Sequence, residues 1–68
     1  MSRFGVTVAS HLIHVYGAVP GKVYALFDIQ GKALEFGRVA TPNFTVKVNL
    51  PGVYLLRIGG ETRKIAVK

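Results

Sequence analysis

The chain contains no cysteine and no tryptophan, and only three of its 68 residues are acidic: Asp28, Glu35 and Glu61. Without cysteine there is no disulfide to staple the fold and no thiolate to hold a metal. With so few acids, paired-carboxylate chemistry has little material. Glycoside hydrolysis needs two carboxyl groups facing one bond, and all three acids fall in or beside an expected turn or strand end. Long apolar runs are missing too. The longest stretch free of Lys, Arg, Asp and Glu, Phe4 to Gly21, is broken by Thr7, Ser10, His11, His14 and Pro20. It is therefore not the span of roughly 20 apolar residues that crosses a bilayer as a helix. Only Arg3 precedes it and no unbroken apolar region of roughly 7–15 residues follows, so no secretory leader is expected. An export signal, if the protein leaves the cell, lies elsewhere or in the folded domain itself.

What is present is a basic, glycine-rich and strongly apolar chain. Half of its residues are hydrophobic, eight are glycine, and nine Lys/Arg against three Asp/Glu give a net charge of +6. The length allows one domain. A domain this small buries only about 60% of the surface its unfolded chain exposes, so the apolar half must supply the core. No segment keeps a 3.6-residue apolar period. Short runs rich in Val, Ile, Tyr, Phe and Thr recur instead, separated by Gly, Pro and Asn, which predicts strands and tight turns.

The expected strands can be placed in order. Phe4, Val6 and Val8 alternate with Gly5 and Thr7. Leu12–Tyr16 follows, then a turn over Gly17–Gly21. Val23–Phe27 is apolar throughout, which predicts a central strand covered on both faces. Asp28-Ile29-Gln30-Gly31 reads as a type I turn capped by Asp28, with Gly31 as a G1 bulge. It joins Val23–Phe27 to Lys32–Arg38, whose Leu34 and Phe36 are expected to face the core. After Thr41-Pro42-Asn43, the residues Phe44, Val46 and Val48 alternate with Thr45 and Lys47. Asn49-Leu50-Pro51-Gly52 breaks that strand, with Gly52 the expected left-handed residue. Gly59-Gly60 then closes a hairpin of Val53–Ile58 and Glu61–Val67. A two-residue turn pairs Tyr54 with Ile65, Leu56 with Arg63 and Leu55 with Lys64. Tyr54, Leu56, Ile58, Ile65 and Val67 share the core face. Val53, Leu55 and Ala66 lie on the other face beside Arg57, Thr62 and Lys64, and Lys68 has the parity of Lys64. Seven such strands predict an all-β fold, a small antiparallel sandwich or barrel.

Motifs with chemistry of their own are scarce. His11 and His14 are three residues apart, which on a strand puts them on opposite faces, and no cysteine or nearby carboxylate completes a metal set. Gly59-Gly60 sits in a hairpin and does not open a phosphate-binding helix. No catalytic residue, metal or cofactor is expected. The charge admits nucleic acid, an anionic polymer or an acidic protein as partner. Lys and Arg are scattered along the chain, the fullest cluster being Arg57, Lys64 and Lys68. Most of Tyr16, Tyr24, Phe27, Phe36, Phe44 and Tyr54 are expected to serve the core, with Tyr24 and Leu26 forming an exposed strip only if their strand lies at an edge. The residues so far leave open a polysaccharide-binding module and, less favoured, a nucleic-acid-binding barrel.

Three segments narrow the choice. Val23-Tyr24-Ala25-Leu26-Phe27-Asp28-Ile29-Gln30-Gly31-Lys32 is an apolar strand closed by D-x-x-G-K, Leu50-Pro51-Gly52-Val53-Tyr54 contains G-x-Y, and Lys64-Ile65-Ala66-Val67-Lys68 ends on lysine. Over about residues 12 to 68 the chain resembles the C-terminal sorting domains, type A-like, of the type IX secretion system. It is especially similar to the basic terminal domains of secreted fibre-degrading bacterial enzymes. It lacks that family's aromatic-Pro-Asn-Pro opening and shortens its Leu-Pro-Ala-Gly to Leu50-Pro51-Gly52. The resemblance implies an immunoglobulin-like or fibronectin type III-like sandwich of about seven strands. It also implies that residues 1–68 are one C-terminal domain cut from a larger secreted protein. Such a domain is read by an outer-membrane translocon or surface-attachment machinery, passing through the periplasm to the outside or the cell surface. Asp28, Gly31, Lys32, Pro51, Gly52 and Tyr54 match the family's turn and strand motifs, and Lys64 and Lys68 its terminal segment. The partner-facing residues are then expected to be Val53, Leu55, Arg57, Lys64 and Lys68, with a polysaccharide as a possible further ligand and nucleic acid disfavoured.

Overall fold

Apolar alternation and glycine-rich breaks produce seven strands in the computed structural model, which describes residues 4–68. Met1, Ser2 and Arg3, where a leader would begin, lie outside the described residues. The strands are β1 (Gly5–Ala9), β2 (Leu12–Tyr16), β3 (Val23–Asp28), β4 (Ala33–Arg38), β5 (Phe44–Lys47), β6 (Gly52–Ile58) and β7 (Glu61–Val67). Pairing is antiparallel throughout, in a three-stranded sheet β1-β2-β5 and a four-stranded sheet β4-β3-β6-β7. The result is the all-β sandwich expected. The constant-type immunoglobulin sandwich puts its fourth strand in the first sheet. Here β4 pairs with β3 in the second sheet instead.

The two sheets bury the residues that alternation assigns inward. Ile13 and Val15 from β2, Val46 from β5, Leu26 from β3 and Leu56 from β6 are at most 1% exposed. Phe4, Ala18 and Val39 close the ends of this core, and no polar or charged side chain is buried among the described residues. Tyr54, near the start of β6, has its ring in the core and donates its hydroxyl to the backbone carbonyl of Leu50. A tyrosine so placed at the corner before the sixth strand, bonded to backbone a few residues upstream, marks immunoglobulin-like sandwiches.

The terminal hairpin has the expected register, Tyr54 opposite Ile65, Leu55 opposite Lys64 and Leu56 opposite Arg63. Gly59 takes φ +62° while Gly60 does not share the positive-φ region, the pattern of a II′ turn. The turn after β3 also forms as expected. Asp28 Oδ1 accepts the backbone N–H groups of Gln30 and Lys32, each at 2.9 Å, and Gly31 donates to the Asp28 carbonyl at 3.0 Å. Gly31 sits at φ +88°, which a side chain would strain. Gly52, at φ +148°, is likewise on the positive side, farther round than the compact left-handed well.

Two expectations need correction, and one device explains the first. Leu34 and Phe36 do not face the core; they are 48% and 70% exposed. The turn sets Phe27 opposite Ala33, but the next pair is Leu26 opposite Glu35, so Leu34 is an extra residue, a β-bulge. One inserted residue turns every later side chain to the opposite face. Phe36 therefore pairs with outward Ala25, and Glu35 takes the inward parity of Leu26. The second correction concerns β3. It is central in its sheet, but only its Leu26 face is covered. On the other face Val23 is 56% exposed and Phe27 is half-buried, because no element among the described residues packs on the outside of the sheet. Leu26 is core, so the Tyr24–Leu26 strip is not exposed.

Candidate functional site

The outer face of the terminal hairpin is built by strand parity. Once Tyr54, Leu56, Ile58, Ile65 and Val67 are buried, each at 7% exposure or less, their alternate neighbours must point away from the core. Val53 and Leu55 are half-buried there, and Arg57 and Lys64 stand exposed beside them. Arg57 lies opposite Thr62, Leu55 opposite Lys64 and Val53 opposite Ala66. The fold thus brings four of the expected partner-facing residues onto one surface. Lys68, exposed just past the end of β7, borders a small recess with Ala66, with Val8 of β1 and with Ser10 just past that strand. The other six motif residues are structural. Asp28, Gly31 and Lys32 make the turn, where Lys32 acts through its backbone. Pro51 and Gly52 lead the chain into β6, and Tyr54 pins that corner from inside.

Five further residues belong to the same surface, and alternation alone hid them. Ala25 on β3 lies between Phe36 of β4 and Arg57 of β6, and Phe27 lies beside Leu55. Val23 lies opposite Arg38, whose guanidinium donates to the Gly21 carbonyl at 3.0 Å. The outward face therefore runs across four strands, apolar through Val23, Ala25, Phe27, Leu55 and Phe36. Only the position of the bulge would have disclosed Phe36 and Arg38 from the sequence.

All three carboxylates are engaged away from this face. Asp28 holds its turn, Glu35 Oε2 accepts the Tyr24 hydroxyl at 3.1 Å, and Glu61 pairs with Arg63 at 3.4 Å. Desolvation, followed by the hydrogen bond and charge of Glu35, pushes the Tyr24 hydroxyl above its ordinary value. Arg63 also donates to the Phe4 carbonyl at 2.6 Å and sits over the Phe4 ring, 5.0 Å from its centre. That cation is thereby committed to fastening the start of β1.

Aromatic rings do not assemble into a flat platform. Tyr54 is buried, and Tyr24 packs on Phe44 with ring centres 5.1 Å apart. Tyr16 is 47% exposed on the other sheet, but its neighbour His14 meets it at 62°. A recess of about 340 Å³, open to solvent, is lined by Leu26, Leu34, Glu35, Lys47, Leu50 and Tyr54 among others. Among the described residues, no three of His, Cys, Asp and Glu gather as a metal site, and no helix is long and apolar enough to cross a membrane. No family model, curated protein or solved structure matches the chain.

Proposed function

We propose that this chain is a non-enzymatic C-terminal sorting and attachment domain, joined covalently to a larger cargo enzyme and read by outer-membrane translocation or surface-attachment machinery of the type IX kind. In this reading the domain crosses the periplasm folded and ends outside the cell or on its surface. The observation that carries it is the division of labour in the terminal hairpin. One face supplies five buried core residues, and the other presents Val53 and Leu55 among Arg57, Lys64 and the nearby Lys68. A receptor can read that outer face without disturbing the fold. The motif likeness of Asp28–Lys32, Gly52-x-Tyr54 and Lys64–Lys68 supports the same reading.

Physically, an address needs fast encounter and a fixed shape. Cations without facing acids steer an acidic receptor toward the hairpin and fix its register. β7 is a sheet edge, so it offers backbone groups for an added strand. Its Lys64 and the adjacent Lys68 discourage pairing with other copies.

The test is export of a neutral periplasmic reporter carrying residues 1–68 at its C-terminus, in a type IX host and in its translocon-null twin. Export only in the former, lost on Lys64→Glu with Lys68→Glu in a domain that still folds, is the expected result. Retention of a folded fusion by a host that exports its own cargo overturns the proposal and turns attention to polysaccharide binding.

A further inference from the structure

We infer that the partner-binding surface is the outer face of the whole four-stranded sheet, centred on Phe36, and that its occupant is an acidic protein segment presenting an apolar side chain to that ring. The inference rests on the docking role proposed above for the terminal hairpin and specifies the surface and the partner's chemistry.

Three observations lead to it. First, Phe36 is 70% exposed and Val23 56%, on one outward face with half-buried Phe27 and Leu55. A continuous apolar patch of this kind on a small domain marks an interaction site. Second, the patch is flanked by cations: Arg38 at the Val23 end, Arg57 in the row of Phe36, and Lys64 in the row of Leu55. Third, the chain has three acids in all, and each is held in a contact off this face. The field over the patch is therefore positive, and the complement is a surface with carboxylates around an apolar centre. Aromatic and arginine side chains together are the usual anchors of protein interfaces. A nucleic-acid strand is the poorer fit. Such strands are held by successive aromatic platforms, whereas this patch is mainly aliphatic around one well-exposed ring.

The test is a titration of the isotope-labelled domain with three anionic probes: a glutamate–tyrosine copolymer, polyglutamate, and oligothymidylate. The copolymer is expected to bind about tenfold or more tightly than polyglutamate, the gain from burying one aromatic side chain. Amide shifts should concentrate at Val23, Phe36, Leu55, Arg57 and Lys64. Phe36→Ser should abolish the copolymer's advantage and leave polyglutamate binding unchanged, and Phe36→Leu should keep part of it. Arg57→Glu with Lys64→Glu should weaken both. Equal affinity for the two polypeptides, tighter binding of oligothymidylate, or shifts centred on Thr7, His14 and Tyr16 of the other sheet would overturn the inference. In the export assay, Phe36→Ser should impair the reporter while Lys47→Glu, on the other sheet, should not. A wild-type reporter that stays inside defeats the export reading, leaving the titration to judge the surface. A Phe36→Ser reporter exported as well as wild type defeats the surface and leaves the export reading standing.

Discussion

Replacing Tyr54 tests whether the corner before β6 is held as the geometry indicates. The ring is 7% exposed, and its hydroxyl donates to the Leu50 carbonyl. Tyr54→Phe removes the hydrogen bond and keeps the ring. Leu50 lies in a loop and is 70% exposed as a residue, so water can reach the freed carbonyl, and the cost is that of an ordinary hydrogen bond, about 0.5–1.5 kcal/mol. Tyr54→Ala removes the ring as well and should cost about 3–5 kcal/mol on the scale for buried aromatics. A 68-residue domain has only about 3–10 kcal/mol in total. Its unfolding entropy is about 0.14 kcal/mol/K, so each kcal/mol moves Tm by about 7 °C. Tyr54→Phe should therefore melt about 4–10 °C below wild type, and Tyr54→Ala should be largely unfolded or melt more than about 20 °C lower. Thermal melts by circular dichroism, with urea titrations showing an unchanged m-value, measure both. A Phe variant melting within about 2 °C of wild type would refute the corner bond. An Ala variant no worse than the Phe variant would refute the burial of the ring.

Other perturbations test particular contacts. A Cβ on Gly5 would lie 2.2 Å from the Tyr16 ring across the β1–β2 pair. Gly5→Ala should thus destabilise the wild type by about 1 kcal/mol or more but cost little in a Tyr16→Ala background, and a double-mutant cycle with no coupling would contradict the contact. Gly31→Ala should cost about 1–2 kcal/mol through its positive φ alone, since nothing crowds a Cβ there; Gly60→Ala, equally uncrowded but without positive φ, should cost much less in the same denaturation assay. Asp28→Ala should cost about 1.5–3 kcal/mol, because two backbone N–H groups lose a charged acceptor, while Asp28→Asn, which keeps an oxygen there, should cost less. Tyr24 gives a pH test. Its hydroxyl titrates above 10.0 in the fold, desolvation being the first cause, so the folded state holds this proton more tightly than the unfolded chain. That stability is complete below pH ~10 and is lost as pH rises through the raised value. The stability gap between wild type and Tyr24→Phe should shift against wild type above pH ~10, and a gap constant through that range would contradict the raised value and with it the desolvation of this hydroxyl.

Much of the fold was legible because small β proteins write their topology locally. Asp28 and Gly31 specify one turn and Gly59-Gly60 another, and a two-residue turn fixes the register of β6 with β7 without long-range information. The burial of Tyr54, Leu56, Ile58, Ile65 and Val67 follows from that register. The hairpin's outer face, with Leu55, Arg57 and Lys64, was legible for the same reason. What was not legible depends on partners distant in sequence. The apolar run of β3 signals a central strand, but whether layers cover both its faces is decided by elements elsewhere, and among the described residues only its inner face is covered. The bulge at Leu34 carries no turn residue to announce it. Leu34-Glu35-Phe36 reads as ordinary alternation, and a one-residue slip within it inverts the assignment of every residue after it.

That single insertion does more than misplace two side chains. In an unbulged β3–β4 pair, the register set at Phe27 and Ala33 would continue, sending Leu34, Phe36 and Arg38 inward and Glu35 outward. The outer face of the sheet would then lose its most exposed ring and one cation, and gain a carboxylate opposite Ala25, in the row of Arg57. With the bulge, Glu35 turns toward Tyr24 and bonds its hydroxyl at 3.1 Å, while Phe36 and Arg38 join Val23 and Arg57 outside. Bulges concentrate where a strand must re-aim a side chain toward a functional surface. Phe36 exposed to water has no stabilising contribution to offer the isolated domain, and an inward apolar residue at an edge strand would have had one. The arrangement thus forgoes core burial on β4 in exchange for an outer face that is apolar at its centre and free of acid. On the edge strand β4 a bulge with an inward carboxylate also guards against edge-to-edge pairing, and the recognition role proposed above gives the exposed Phe36 its use.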